Sequence, residues 1–198
     1  YRAFHGTRAD HLDSIIEAGI RPSRNVDDWI AAGIYFFVEG LDDPRVSAFE
    51  WARAKLWDKR SRTFVVDEVA VLEVEIHVEE SAVFDLRESE NARQFHQARR
   101  RWLKRRVPRR STHLARPLEP SYDTSLLDEF KRDRAVAALI SDFYIQFSVR
   151  ERHFRLDSRI PNVSVLCLTD PPVGKTRVTV TNTEVLQPTS ILESDSDI

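Results

Sequence analysis

The sequence predicts an α+β domain in which two β-sheets clasp a cleft between flanking helices. Three observations lead there: helical periodicity is concentrated early in the chain, valine-rich apolar runs are concentrated late, and no regular strand–helix–strand alternation joins them. The 198 residues suit one domain, and 41% apolar content is enough for a core. A doubly wound nucleotide fold is disfavoured, because neither GxGxxG nor GxxxxGK followed by Ser or Thr occurs.

The elements follow in order. YRAFHGT reads as a short strand, and HLDSIIEAGI as a helix with Leu12, Ile15 and Ile16 on one face and Gly19 past its last turn. RPSRNVDDWIAAG is a polar loop placed to close over a ligand, and GIYFFVE is a second strand entered through Gly33. Asp43 and Pro44 form a helix start, N-cap then proline, for DPRVSAFEWARAKLW, whose inner face is Val46, Phe49 and Ala52. From Thr63 to Val78 the chain alternates as the longest strand, with Val69, Val71, Val74, Ile76 and Val78 inward and one slip of phase between Val71 and Val74.

Asn91 to Lys104 is helical, since Phe95, Ala98 and Trp102 fall three and four apart while arginines cover the other face. The proline-rich stretch VPRRSTHLARPLEPSYD is a loop or linker, and a short helix spans Ser125 to Lys131. Three or four strands then follow, drawn from AVAALIS, YIQFSV, VSVLCL and RVTVTN, with fraying beyond Pro188. The expected organisation is one domain over residues 1–192, with a basic helical insertion at 91–118 and a disordered acidic tail at 193–198.

Net charge is only −2, but the charges are segregated. Acidic residues dominate from Asp67 to Glu90, whereas Arg93 to Arg116 holds ten arginines and lysines. That block reads either as a site for phosphate or acidic protein surfaces, or as a solvated helix face paired with the acidic segment. No run approaches the roughly 20 apolar residues of a membrane span, and no signal pattern opens the chain, so a cytoplasmic location without membrane contact is expected. The single cysteine, Cys167, sits in the apolar run VSVLCL and reads as a small buried hydrophobe; nothing argues for a metal site. The chain contains no methionine and is expected to continue upstream.

Three local features carry chemistry. His5 titrates near neutrality at a strand end, and Gly6 lets a ligand approach the backbone directly, so His5-Gly6-Thr7 suits an amide or a ribose. Tyr35, alternating with Ile34 and Phe36, projects opposite to them and suits stacking on a flat heteroaromatic ring. Gln146 lies among hydrophobic neighbours in a strand and offers one acceptor and two donors. Each alone also reads as a satisfied structural residue.

Taken in order, the three resemble the ADP-ribosyltransferase superfamily, on the branch of the poly(ADP-ribose) polymerases and the relatives of diphtheria toxin. That branch carries a His-Gly-Thr strand end, a Gly-x-Tyr-Phe strand with a small residue and an aromatic three positions on, and a late strand led by glutamate. Here these are His5-Gly6-Thr7, Gly33-Ile34-Tyr35-Phe36 with Ala48 and Trp51, and a strand led by Gln146. The chain is also similar to bacterial and phage proteins of that fold through SRNVDDW (residues 23–29), AFEWA (48–52), YDT (122–124) and IQFSVR (145–150). The likeness covers most of residues 1–155 and implies an ADP-ribosyltransferase-like split sheet that binds NAD+ as a substrate. It implies that Gly6 holds the nicotinamide carboxamide, His5 meets a ribose hydroxyl, Tyr35 stacks on nicotinamide and Thr7 supports the pocket. Arg24 and Asn25, in the loop between, would meet or cover the pyrophosphate.

The implied activity is mono-ADP-ribosyl transfer to a macromolecular acceptor, protein or nucleic acid, as in a bacterial or phage toxin or defence effector with a neutralising partner. Gln146 departs from the family's glutamate. An amide still hydrogen-bonds a ribose hydroxyl, but a bond to a charged partner is worth about 1.5–3 kcal/mol against about 0.5–1.5 for a neutral one, and an amide is no base. Polymer synthesis is therefore disfavoured, and Glu151 or Glu184 are alternative carboxylates. The opposing reading is a degenerate transferase fold that binds NAD+, ADP-ribose or a macromolecule without transfer. A third, removal of a 2′-phosphate from RNA, would draw on Arg2 and His153.

Overall fold

The computed structural model describes residues 1–23, 33–58, 60–65, 68–106, 121–147, 158, 160–169 and 176–189, the side chains of 106, 121–125 and 128 excepted. Its centre is a seven-stranded, mostly antiparallel sheet, with helices against it, so the chain is an α+β protein. The strands are β1 (Arg2–Arg8), β2 (Gly33–Val38), β5 (Val69–His77), β6 (Val83–Asp85), β7 (Ala138–Phe143), β8 (Val163–Thr169) and β9 (Arg177–Leu186). Their order is β6-β7-β8-β2-β1-β5-β9, with β6 and β7 alone parallel. A separate two-stranded ribbon pairs β3 (Trp57–Asp58) with β4 (Thr63–Phe64).

The expectation of two sheets is corrected to one sheet with a narrow seam. Strands β1 and β2 pair only at Ala3↔Val38 and Phe4↔Phe37, whereas β1 pairs with β5 along its whole length and β2 pairs with β8 from Gly33 to Phe37. Two well-zipped halves therefore meet through two residue pairs and part beyond Phe4.

Both faces of the sheet are apolar at the centre. One face carries Phe4, Phe37, Val69, Val71, Val165 and Cys167 beneath α2 (Pro44–Leu56), which adds Ala48, Phe49, Ala52 and Leu56. The other carries Ala3, Phe36, Leu72, Val74, Ile76, Ile140 and Leu166. This two-sided burial explains the slip of phase read in β5. Val69 and Val71 face α2, Ala70, Leu72, Val74 and Ile76 face away, and only from Glu73 onward does the α2 side turn polar. The strand keeps its period; a bulge at Glu73/Val74 leaves Thr181 of β9 unpaired.

Helix α2 starts as the sequence requires, with the Asp43 carboxylate accepting from Arg45 N at 2.8 Å and Pro44 at the first position. Its inner face is Ala48, Phe49 and Ala52, with Val46 half-buried. Helix α1 (Leu12–Ala18) rests Leu12 and Ile15 on the second core, but Ile16 is 59% exposed, because one face of a two-turn helix accommodates only two contacts. Gly19 adopts φ +80° and donates its amide to Ile15 O at 2.8 Å, a left-handed close that suits glycine.

Helix α3 (Ser89–Arg106) turns Phe95, Ala98 and Trp102 inward as expected. Helix α4 (Ser121–Arg134) is longer than the stretch expected from Ser125 to Lys131 and supplies Leu126, Leu127 and Phe130 to the core. YIQFSV, expected as a strand, is not one over its described residues, since β7 ends at Phe143 and residues 144–147 run on without ladder pairing. None of the described helices is long and apolar enough to cross a membrane.

Candidate functional site

The site begins with the parting of β1 and β2. Tyr1 and Ile76 exchange two backbone hydrogen bonds, each 2.8 Å, so they form a hydrogen-bonded pair of the β1–β5 ladder. Such pairs alternate along antiparallel strands. Ala3, His5 and Thr7 therefore bond toward β5, while the backbone groups of Phe4 and Gly6 point toward β2. Phe4 meets Phe37 there, but the next rung, Gly6 with Tyr35, is missing from the ladder.

His5 explains the missing rung. Its Nδ1 lies 2.9 Å from the Tyr35 carbonyl oxygen, and since a carbonyl only accepts, Nδ1 carries the proton. The imidazole has taken the acceptor that Gly6 N–H would have used. Gly6 is left presenting an N–H and a C=O into the seam, a complementary pair for a planar amide. His5 is half-buried, its ring edge-on to Phe36 at 5.9 Å. Burial pushes its pKa below the ordinary histidine value, with the bond to the Tyr35 carbonyl working the other way. A neutral ring with Nδ1–H fixed has Nε2 as an acceptor.

Gly6 also meets α2 from below. A Cβ built on it would stand 1.8 Å from Ala48 O and 3.1 Å from Ala52 Cβ, so the helix backbone lies directly over this residue. Ala48 is thus explained by contact: with it and Ala52 as the smallest side chains, the helix rests on the strand. Gly33 plays the same part on β2, where a Cβ would stand 2.2 Å from Leu168 O.

The predicted residues divide as follows. Gly6, Ala48, Trp51 and Tyr35 share the α2 face at the seam, Tyr35 and Trp51 both packing against the core under α2. Tyr35 is therefore less open than alternation alone suggests, because both faces of β2 are covered. Lys55 Nζ lies 4.4 Å from the Trp51 ring centroid, a cation–π contact across one helical turn. His5 reaches the seam from the opposite face, through the Tyr35 carbonyl. Thr7 continues β1 opposite Ala70. Arg24, Asn25, Glu151 and His153 lie outside the described residues.

Gln146 sits past the end of β7 rather than leading a strand. Asn162 holds that segment: its Oδ1 accepts from Ile145 N at 2.8 Å and its Nδ2 donates to Ile145 O at 3.0 Å, a side-chain imitation of a strand neighbour. Phe147 then lies against Phe37, ring centroids 6.2 Å apart, two residues from Tyr35. The Gln146 segment is thereby tied to the seam strand. Glu184 is not an available carboxylate, because Arg45 grips both its oxygens at 2.5–2.9 Å on β9, with β5 between it and β1. Arg2 is engaged by Glu73 at 2.6 Å.

Two residues went unread in the sequence. Asn162 follows Pro161 ahead of β8, and only the fold reveals its double bond to Ile145. Ser47, 2% exposed on α2 beside Ala48, has a buried hydroxyl that no described group engages; a hydroxyl on an apolar helix face was the signal available. A cavity of about 380 Å³ opens elsewhere, at the start of β1 and of α2, lined by Arg2, Phe4, Glu39, Asp43, Pro44 and Arg45. Of the residues named as candidates only Arg2, from the 2′-phosphate reading, lines it, and both arginines already bind carboxylates.

No protein-family model matches the chain. A 90-residue stretch is 32% identical to an uncharacterized protein of Methanocaldococcus jannaschii, covering 44% of this chain and 38% of that protein. The match spans well under half of the relative's length.

Proposed function

We propose that the chain is an NAD+-dependent mono-ADP-ribosyltransferase, its sheet seam serving as the split clasp of the ADP-ribosyltransferase fold. The observation that carries this is the rung exchanged at the seam: His5 takes the Tyr35 carbonyl, and Gly6, whose N–H and C=O face β2, has no ladder partner there. The nicotinamide carboxamide has the complementary donor and acceptor, and a bidentate amide pair fixes its plane. His5 Nε2, held as an acceptor, receives a ribose hydroxyl. Tyr35 and Trp51 supply aromatic surface. Thr7 supports the pocket, and Arg24 and Asn25 are assigned to the pyrophosphate from their charge and place in the sequence. In the reaction the bond from ribose C1′ to the nicotinamide nitrogen breaks with its electron pair leaving on nicotinamide. The acceptor's nucleophile then bonds to C1′ and releases its proton to solvent. Gln146 steadies the ribose by hydrogen bonding alone.

Radiolabelled NAD+ incubated with the protein and cell lysate tests this, protein and nucleic-acid fractions being resolved separately. Label is expected with the wild-type chain and absent from the His5→Ala, Tyr35→Ala variant; equal label in both overturns the assignment. Gln146→Glu restores a charged partner, a difference of about 1.5 kcal/mol, and is expected to raise nicotinamide release about tenfold. The second reading, a binding module without transfer, is favoured by Gln146 itself. NAD+ affinity with no label transfer from wild type or from Gln146→Glu would establish it.

A further inference from the structure

The basic face of α3 plays no part in the seam. Arg99, Arg100, Arg101 and Lys104 are exposed, and among the described residues none provides them with a counter-charge. The ion pairs that α3 does make use other residues, Arg93 with Glu90 and Arg105 with Glu129. Among the described residues, the acidic segment that the alternative reading paired with the block contributes only that local Glu90 contact. At 3.6 residues per turn, Arg100 and Lys104 leave the helix opposite Phe95, Ala98 and Trp102, with Arg101 on one side of them and Arg99 on the other, nearer the apolar stripe. The helix is anchored from behind, since Trp102 Nε1 donates to Glu129 of α4 at 3.0 Å and the indole is buried.

The charge density matches one class of partner. At 1.5 Å rise, the four cations occupy about 7.5 Å of axis, one charge per about 2 Å. Duplex DNA carries one negative charge per about 1.7 Å. Arginine forks suit phosphate oxygens bidentately. A protein partner would use apolar or aromatic anchors, and the exposed large apolar residues among those described, Tyr1, Ile16, Leu41, Val65, Ile160 and Val185, all lie off α3. Like charges four apart, as at Arg100 and Lys104, also weaken the helix that bears them, whereas a merely solubilising face mixes signs.

We propose that this face of α3 binds the phosphodiester backbone of nucleic acid without reading its sequence. The proposal stands apart from the transferase reading, since it requires neither NAD+ nor the seam. Fluorescence anisotropy on the full chain tests it, with a labelled mixed-sequence DNA duplex, the matching RNA duplex and the single DNA strand. Four contacts give a slope of log affinity against log salt of about −3.6 for duplex DNA and about −2.8 for the single strand. In R100Q/R101Q/K104Q the duplex slope is expected to shrink by about 2.7, with the helical circular dichroism unchanged. R100K/R101K keeps the charges and is expected to keep the slope. A triple variant with wild-type slope and affinity would overturn the proposal. So would absence of duplex binding, or tighter binding of poly-glutamate than of duplex at equal salt.

Discussion

Replacing Gly6 by alanine tests the contact on which the seam is built. The added Cβ would stand 1.8 Å from the Ala48 carbonyl oxygen, about 1.5 Å short of ordinary contact. The obstacle is helix backbone, so no rotamer change relieves it, and α2 must lift from β1 or β1 must twist away. Either movement loosens Phe49 and Ala52, which lie in the core under α2. Overpacking typically costs about 1–3 kcal/mol, and a backbone clash belongs at the upper end. For a chain of this size each kcal/mol lowers Tm by about 2–4 °C, so Gly6→Ala is expected to melt about 6–12 °C below wild type by circular dichroism. The double variant Gly6→Ala, Ala48→Gly separates backbone from side-chain obstruction. Trimming residue 48 leaves its carbonyl in place and adds a helix-interior glycine worth about 1 kcal/mol, so the double variant should be less stable than the single. Rescue by Ala48→Gly, or a Tm within about 2 °C of wild type for Gly6→Ala, refutes the reasoning.

Ser47→Ala removes a buried hydroxyl with no partner and places the best helix former there, so Tm should rise by about 2–4 °C; a fall would mean the hydroxyl is engaged. Asn162→Ala leaves Ile145 N–H and C=O without their partner, expected to cost about 1–3 kcal/mol in urea unfolding and to loosen Gln146. Asn162→Asp, which retains the acceptor, should recover part of that, and equal loss in both variants would count against the clamp. His5 has its pKa lowered from 6.5 by burial, so below that value the unfolded chain takes up the proton first. Its contribution is whole above about pH 6.5 and is lost as pH falls toward the depressed folded value. Between about pH 7.5 and about pH 5.5 the wild type should lose more urea resistance than His5→Gln, and identical losses would contradict the assigned burial.

Much of the fold was legible because local chemistry and tertiary environment agree. The Asp43-Pro44 start of α2, the Gly19 close of α1 and the apolar stripe of α3 are each decided within a few residues. Strand β6 was missed because its three residues owe their conformation to pairing with β7, which lies over 50 residues away. YIQFSV looked like a strand because its propensity is right, yet the Asn162 side chain, not a strand, meets Ile145. The candidate site could be proposed from residue types but its geometry could not be read. His5, Gly6 and Tyr35 could be picked out one by one, but the exchanged rung depends on where the β1–β2 ladder stops. That end point is fixed by how each strand pairs on its far side, with β5 and with β8.

The seam also determines how this protein can be taken apart. The three strands on one side, β1, β5 and β9, and the four on the other, β2, β8, β7 and β6, are not consecutive stretches of chain. Among the described strands the polypeptide passes from one side to the other in going from β1 to β2, from β2 to β5, from β5 to β6 and from β8 to β9. Each half is thus stitched to the other by covalent crossings more numerous than its hydrogen-bonded rungs. The halves meet at Phe4 and Phe37 and cannot part, and no single cut separates one half cleanly from the other. Folding must close long loops before either half zips, so the chain should fold slowly for its size and as one cooperative body.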